Sequence, residues 1–351
     1  MHVPDGFLDV PTSLTTGVVA ATAIGVALHR GRHELDERAV PLAGMTAAFV
    51  FAGQMVNFPV GLGTSGHLMG GALAAVLVGP WTAVLSVSVV LLVQALLFAD
   101  GGLTALGTNI TLLGVTAVAV GWFATRAALR LLPRRPRSAV PASAVGAFAS
   151  VVAAAALFVA LYAAGGAAPV PLGALTAAML GWHALIGAGE ATITALTVGA
   201  VVAVRPDLVR AVHDLRPVLT SASGEPLPSA GGGPVHGRPT SGGPRRRPAP
   251  RVVLAGLAVA SVLLVVVGAP LASSDPDGLE QVAEQTGFLG TARDHLLGTS
   301  ALADYGAVGG IPVWAAGLVG VAATVVVGLA LFRLAGRSRR GVSGAVGAPR
   351  G

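Results

Sequence analysis

Residues 172–204 read LGALTAAMLGWHALIGAGEATITALTVGAVVAV, and the only charged side chain among them is Glu190. About 20 consecutive apolar residues cross the hydrocarbon core of a bilayer as a helix, so this run is long enough to span. Inside it lie His183 and Glu190, seven positions apart and therefore on one helix face, two turns distant. Polar groups at that depth are costly and face a protein interior. A secondary ion site or proton-linked pair is one reading of them. The favoured reading is a buried brace to a neighbouring helix.

Working outward, similar apolar runs cover about 13–28, 40–57, 67–78, 81–98, 106–129 and 141–164 on the N-terminal side, and 252–268 and 312–332 on the C-terminal side. The 351-residue chain is 54% hydrophobic and 11% charged, against about 25% charged in a soluble domain. The expected fold is an all-α integral membrane protein, with a bundle of about seven helices followed by a two-helix module. Gly contributes 49 residues, which favours close helix packing. Gly17, Ala21 and Gly25 make a small-residue stripe of that kind on the first span. With no Cys, disulfides, thiolate metal sites and cysteine catalysis are excluded.

The net charge of +6 is not read as a nucleic-acid footprint, because Arg gathers at the ends of apolar runs. Arg-rich stretches fall at 30–38, 130–137, 205–251 and 333–340. Nine spans put all of them on one side, and the positive-inside rule makes that side cytoplasmic. The N-terminus is then external, the C-terminus cytoplasmic, and the connections 57–66, 99–105, 165–171 and 270–311 are external. The chain divides into 1–205, a Pro/Gly/Ser/Arg-rich linker at 206–250 expected to be flexible, a second module at 251–335, and a basic tail at 336–351 expected to be disordered.

The N-terminus, Met1-His2-Val3-Pro4-Asp5-Gly6-Phe7, carries the chemistry. Pro4 and Gly6 favour a turn, and the segment lacks the basic start and apolar core of a leader. A His at position 2 of a free N-terminus offers three nitrogens to one ion: the Met1 amine, the His2 amide once deprotonated, and a His2 ring nitrogen. They close fused five- and six-membered rings in one plane. His67, in Gly63-Thr64-Ser65-Gly66-His67, is the candidate fourth nitrogen. A planar N4 set favours Ni(II) or Cu(II). The scheme requires an unprocessed, deformylated Met1. Gln54, Asn57, Gln94 and Asn109 lie toward the same external end; they are candidates to support the site or to join helices by hydrogen bonds. His29 and His33 are expected to be solvated at the cytoplasmic interface. His213, His236 and His295 have no partner at ligand spacing.

These residues resemble a known family. Met1-His2-Val3-Pro4-Asp5-Gly6-Phe7-Leu8 is similar to the start of CbiM/NikM substrate-binding membrane subunits of energy-coupling factor (ECF) uptake transporters for cobalt and nickel. Ala52-Gly53-Gln54-Met55-Val56-Asn57-Phe58-Pro59, Gly63-Thr64-Ser65-Gly66-His67-Leu68, Gln94 to Gly102 and Trp182 to Glu190 agree with it. The resemblance covers residues 1 to about 205 and implies Met1, His2 and His67 as metal ligands; Ser65, two residues before His67, is a further candidate to support the site. It also implies a coupling subunit and paired cytoplasmic ATPases as partners, in a prokaryotic cell membrane. Asp275-Pro276-Asp277-Gly278-Leu279-Glu280 resembles the hallmark of the PDGLE accessory module, which by analogy helps load the metal. Its carboxylates Asp275, Asp277, Glu280 and Glu284 are read first as a helix start and second as a weak cation concentrator.

The expected function is capture and import of Ni(II) or Co(II), the metal being cargo, with no organic cofactor. No Gly-x-x-x-x-Gly-Lys-Ser/Thr loop is present, so energy must come from a partner. The chain is not expected to be an enzyme: it lacks His-Glu-x-x-His, which argues against an intramembrane metalloprotease. A metal sensor or scaffold without transport is the alternative. By family analogy alone, the PDGLE-like module tilts the choice between metals toward nickel.

Overall fold

A computed structural model describes residues 1–35, 39–215, 249–303, 305–306 and 310–343. The expected linker falls mostly, and the end of the tail wholly, outside these residues.

The elements run α1 (Val10–Arg30), α2 (Ala39–Gln54), β1 (Phe58–Gly61), β2 (Thr64–Gly66), α3 (Gly71–Val78), α4 (Pro80–Val93), α5 (Leu106–Asn109), α6 (Ala117–Leu131), α7 (Ala139–Gly165), α8 (Leu172–Val204), α9 (Pro250–Leu263), α10 (Gly278–Thr286) and α11 (Val313–Ser343). Wide π turns extend α4 through Phe98 and join α5 to α6. Among the described residues, seven helical stretches are long and apolar enough to cross a membrane: Val10–His33, Pro80–Phe98, Leu106–Leu131, Pro136–Gly165, Leu172–Val204, Pro250–Leu271 and Val313–Ala335. The chain is a multi-pass, all-α membrane protein.

The third expected span is corrected by the structure. Only Gly71–Val78 is helical, and eight residues rise about 12 Å, far short of a bilayer core of about 30 Å. The stretch before it, including His67, is hairpin and extended chain. Irregular backbone at membrane depth is tolerated only where protein satisfies its polar groups. Glu190 of α8 does so here, accepting from Met69 N at 2.5 Å and Gly70 N at 2.8 Å. Gln54 of α2 donates to Met69 O at 3.0 Å.

Every residue of α3 is buried, packed among α2, α4, α6, α7 and α8. Being apolar on all sides, it suits a central position. Gly79 ends it at φ +96°, where a side chain is strained, and Pro80 opens α4 at a position that needs no amide donor. By contrast α1 is peripheral, with Val10, Leu14 and Val18 exposed as lipid-facing residues are. Asp9 caps it by accepting from Thr12 N at 2.9 Å.

The second module lies against the first. Helices α9 and α11 pack on α2, and α10 packs on α8 and β2. The segments expected to share one face do meet. Gly102 N donates to Val3 O, Ala167 N to Phe7 O, Arg293 N to Asp5 O and Ser65 N to Pro276 O, all within 2.8–3.0 Å. At the other end, Arg30 stacks on Trp81, the Glu34 carboxylate accepts from Thr82 N at 2.8 Å, and Arg126 donates to Ala211 O at 3.1 Å.

Candidate metal centre

The N-terminal loop is held down residue by residue. Asn109 clamps Val3: its Oδ1 accepts from Val3 N at 2.8 Å and its Nδ2 donates to Val3 O at 3.0 Å. The Asp5 carboxylate accepts from Thr104 N at 2.8 Å, Leu103 N at 3.2 Å and Ala105 N at 3.3 Å, satisfying amides that lead into α5. Gly6 turns the chain at φ +93°, and a Cβ there would run into the carbonyl of Thr291. Phe7 is buried edge-on against Phe288 of the second module, with centroids 4.9 Å apart.

The β1–β2 hairpin, paired antiparallel with Phe58 opposite Gly66 and Pro59 opposite Ser65, presents His67 from the facing side. The Glu190 and Gln54 contacts fix the chain just beyond it. His67 is 5% exposed, and its Nδ1 lies 3.1 Å from Leu68 O.

The three expected ligands converge. Met1 N and His67 Nε2 are in direct hydrogen-bond contact. The His2 ring stacks on His67, with centroids 4.9 Å apart and planes 10° apart. Nδ1 of His2, the atom that closes the six-membered chelate ring, lies 3.0 Å from Asp100 Oδ1. His2 Nε2 is buried without a hydrogen-bond partner. In this arrangement His2 is poised beside the amine and His67 but committed to Asp100, so planar chelation requires Nδ1 to leave that carboxylate.

A carboxylate from the second module completes the cluster. Asp277 Oδ2 is 2.9 Å from Met1 N and 3.7 Å from His67 Nε2. Burial works to raise the Asp277 pKa, but the N-terminal charge and His67 hold it well below the usual carboxylate range. At Asp100 burial likewise opposes charge, and His2 prevails to lower the pKa. Two anionic oxygens therefore flank the nitrogens, an arrangement suited to a cation.

The other expected residues separate by role. Asn109 supports the loop, while Gln54 and Glu190 brace the chain around His67. Ser65 Oγ donates to Asp275 O at 2.7 Å and so ties the second module down. Asn57 O accepts from Ser273 N at 2.8 Å, a second tie. Gln94 is buried with Oε1 unpartnered, and its carbonyl accepts from Asp100 N at 3.2 Å. His183 and Glu190 are both buried on one face of α8, yet each is engaged separately: His183 Nδ1 lies 2.8 Å from Met179 O, whereas both Glu190 oxygens take backbone amides. Asp5 and Asp100 are the site residues that sequence reasoning did not single out, and Asp277 reads from the sequence first as a helix start and second as a weak cation concentrator. The signal was a carboxylate in each quoted motif.

Residues 2–208 match the model of the CbiM family, described as the cobalt uptake substrate-specific transmembrane region, and residues 251–337 match the PDGLE domain. The chain is 36% identical over 219 residues to the putative fused nickel transport protein NikMN of Archaeoglobus fulgidus, covering 60% of this chain and 68% of that one. It is 41% identical over 133 residues to the cobalt transport protein CbiM of Sorangium cellulosum, covering 37% and 59%. A crystal structure of a truncated transition metal transporter superposes with a TM-score of 0.50 at 32% identity, covering 58% of this chain and 99% of that one. The chain thus belongs to the CbiM family of cobalt uptake substrate-specific transmembrane regions, with a PDGLE domain at its C-terminal end.

Proposed function

We propose that this chain is the substrate-specific membrane component of an ECF-type transporter that imports Ni(II) or Co(II). The single observation that carries the reading is the buried meeting of the Met1 amine with His67 Nε2, with the His2 ring stacked alongside. The cargo is held by the Met1 amine, the His2 amide and Nδ1, and His67. Asn109 and Asp5 keep the loop closed, and Glu190 and Gln54 keep His67 aimed at it. The N-terminal face is external. Release inside needs the loop and His67 to part or the bundle to reorient, driven by a coupling subunit and cytoplasmic ATPases.

Metal accumulation in cells tests this. Cells carrying the chain with its coupling and ATPase partners should accumulate Ni(II) or Co(II), and His2→Ala should abolish it. Accumulation that does not depend on the ATPases would contradict the ECF assignment. Metal binding without any accumulation would favour a sensor.

A further inference from the structure

The second module meets the first at several places, but at one of them it brings an anionic oxygen to the candidate ligands. Metal–N and metal–O bonds of about 2.0–2.2 Å place donors that lie at right angles about 2.8–3.1 Å apart. Asp277 Oδ2 stands 2.9 Å from Met1 N, on such an edge, and 3.7 Å from His67 Nε2.

Its position is set independently of the amine. Oδ1 of Asp277 caps α10, accepting from Leu279 N at 2.8 Å and Glu280 N at 2.9 Å, which leaves Oδ2 turned to the site. The backbone around it is fixed by a parallel bridge between Ser65 and Asp277. Ser65 N donates to Pro276 O at 2.9 Å and Ser65 Oγ to Asp275 O at 2.7 Å. Ser65 precedes His67 by two residues, so one strand of the first module aligns both the imidazole and the carboxylate.

We propose that Asp277 is an axial oxygen donor to the bound metal, so that the loaded site is built by both modules. This rests on the placement of the metal among Met1, His2 and His67. A dication held by one deprotonated amide and three neutral nitrogens keeps one net positive charge, and the Asp277 carboxylate neutralises it. An oxygen above a planar N4 set makes a five-coordinate site. That weakens the preference for planar Ni(II) and admits Co(II), whose geometry is less restricted. Metal choice in this chain is then tuned from the C-terminal module.

The test uses the full chain in lipid nanodiscs, titrated with Ni(II) and with Co(II), with X-ray absorption on the loaded protein. Asp277→Asn is the informative variant, because Asn keeps the α10 cap while removing the charge. The expected result is at least ~10-fold weaker Co(II) binding, by analogy with losses at residues that support a metal. The Ni(II) spectrum should move from five-coordinate in the wild type to four-coordinate planar in the variant. An unchanged coordination number and spectrum in Asp277→Asn, at whatever affinity, overturns the proposal and leaves Asp277 a counter-ion. His2→Ala separates the two levels: loss of binding there with an unaltered Asp277→Asn spectrum sinks only the axial donor. Retained binding in His2→Ala sinks the ligand set beneath it, and the proposal with it.

Discussion

Asn109 holds the donor and the acceptor of one peptide residue, Val3, inside a buried site. Asn109→Ala strands the Val3 amide at about 1–3 kcal/mol, while Val3 O keeps the hydrogen bond from Gly102 N. It should weaken Ni(II) binding by ~10-fold or more in calorimetry while leaving helix content unchanged. Glu190→Ala leaves the amides of Met69 and Gly70 without acceptors, a similar cost per group, and should lower the thermal midpoint as well as metal affinity. A variant that lost affinity at full stability would assign Glu190 to the metal instead. At this scale the sequence was legible where chemistry has a spacing rule. His at position 2 announces a chelate, and amides in apolar runs announce buried partners. Asp100 was opaque, because a carboxylate beside Gly is first a turn residue, and Asp277 reads as a cap before it reads as a weak cation concentrator. Asp277 does cap α10, and only the fold turns its second oxygen to Met1.

The element that departs most from its apolar pattern is α3. Residues 67–78 read as a span, yet the helix begins at Gly71, since Glu190 and Gln54 supply hydrogen bonds that free the preceding backbone from helix. Composition along one segment cannot reveal partners that lie on other helices, whereas α8, a long apolar run broken by few polar residues, was legible at once. Gly79, at φ +96°, lets α3 and α4 meet. Gly79→Ala should cost about 1–3 kcal/mol, with a Cβ set 2.7 Å from the Glu34 carboxyl carbon. A lowered thermal midpoint in nanodiscs checks it, and an unchanged midpoint would mean that the turn relaxes.

For the molecule as a whole, the loops at 1–9, 57–66, 99–105, 165–171 and 273–293 gather at one end, and the described parts of the Arg-rich connections, 30–35, 130–137 and 205–215, at the other. The pattern of Arg predicted that grouping, because charge is sorted across the membrane rather than along the chain. As the chain has no Cys, single introduced thiols can test its orientation. Leu62→Cys, at a site 92% exposed, should react with an impermeant maleimide in intact cells, and Arg134→Cys only after permeabilisation. The reverse pattern would invert the topology. Metal binding should also weaken as pH falls, because the amine, amide and imidazoles bind metal only when deprotonated. Calorimetry across buffers should show proton release on loading, and a pH-independent affinity would argue against nitrogen ligands.

The central claim is that the free N-terminus of the chain is itself the metal ligand. Its most direct test is the metal content and Ni(II) titration of the purified full chain beside a variant with one residue added before Met1. With His2→Ala and His67→Ala as controls, the prediction is one equivalent of metal on the wild type and loss of binding in all three variants. If the extended chain bound Ni(II) as tightly as the wild type, the amine would not be a ligand, and the account of this site would be wrong.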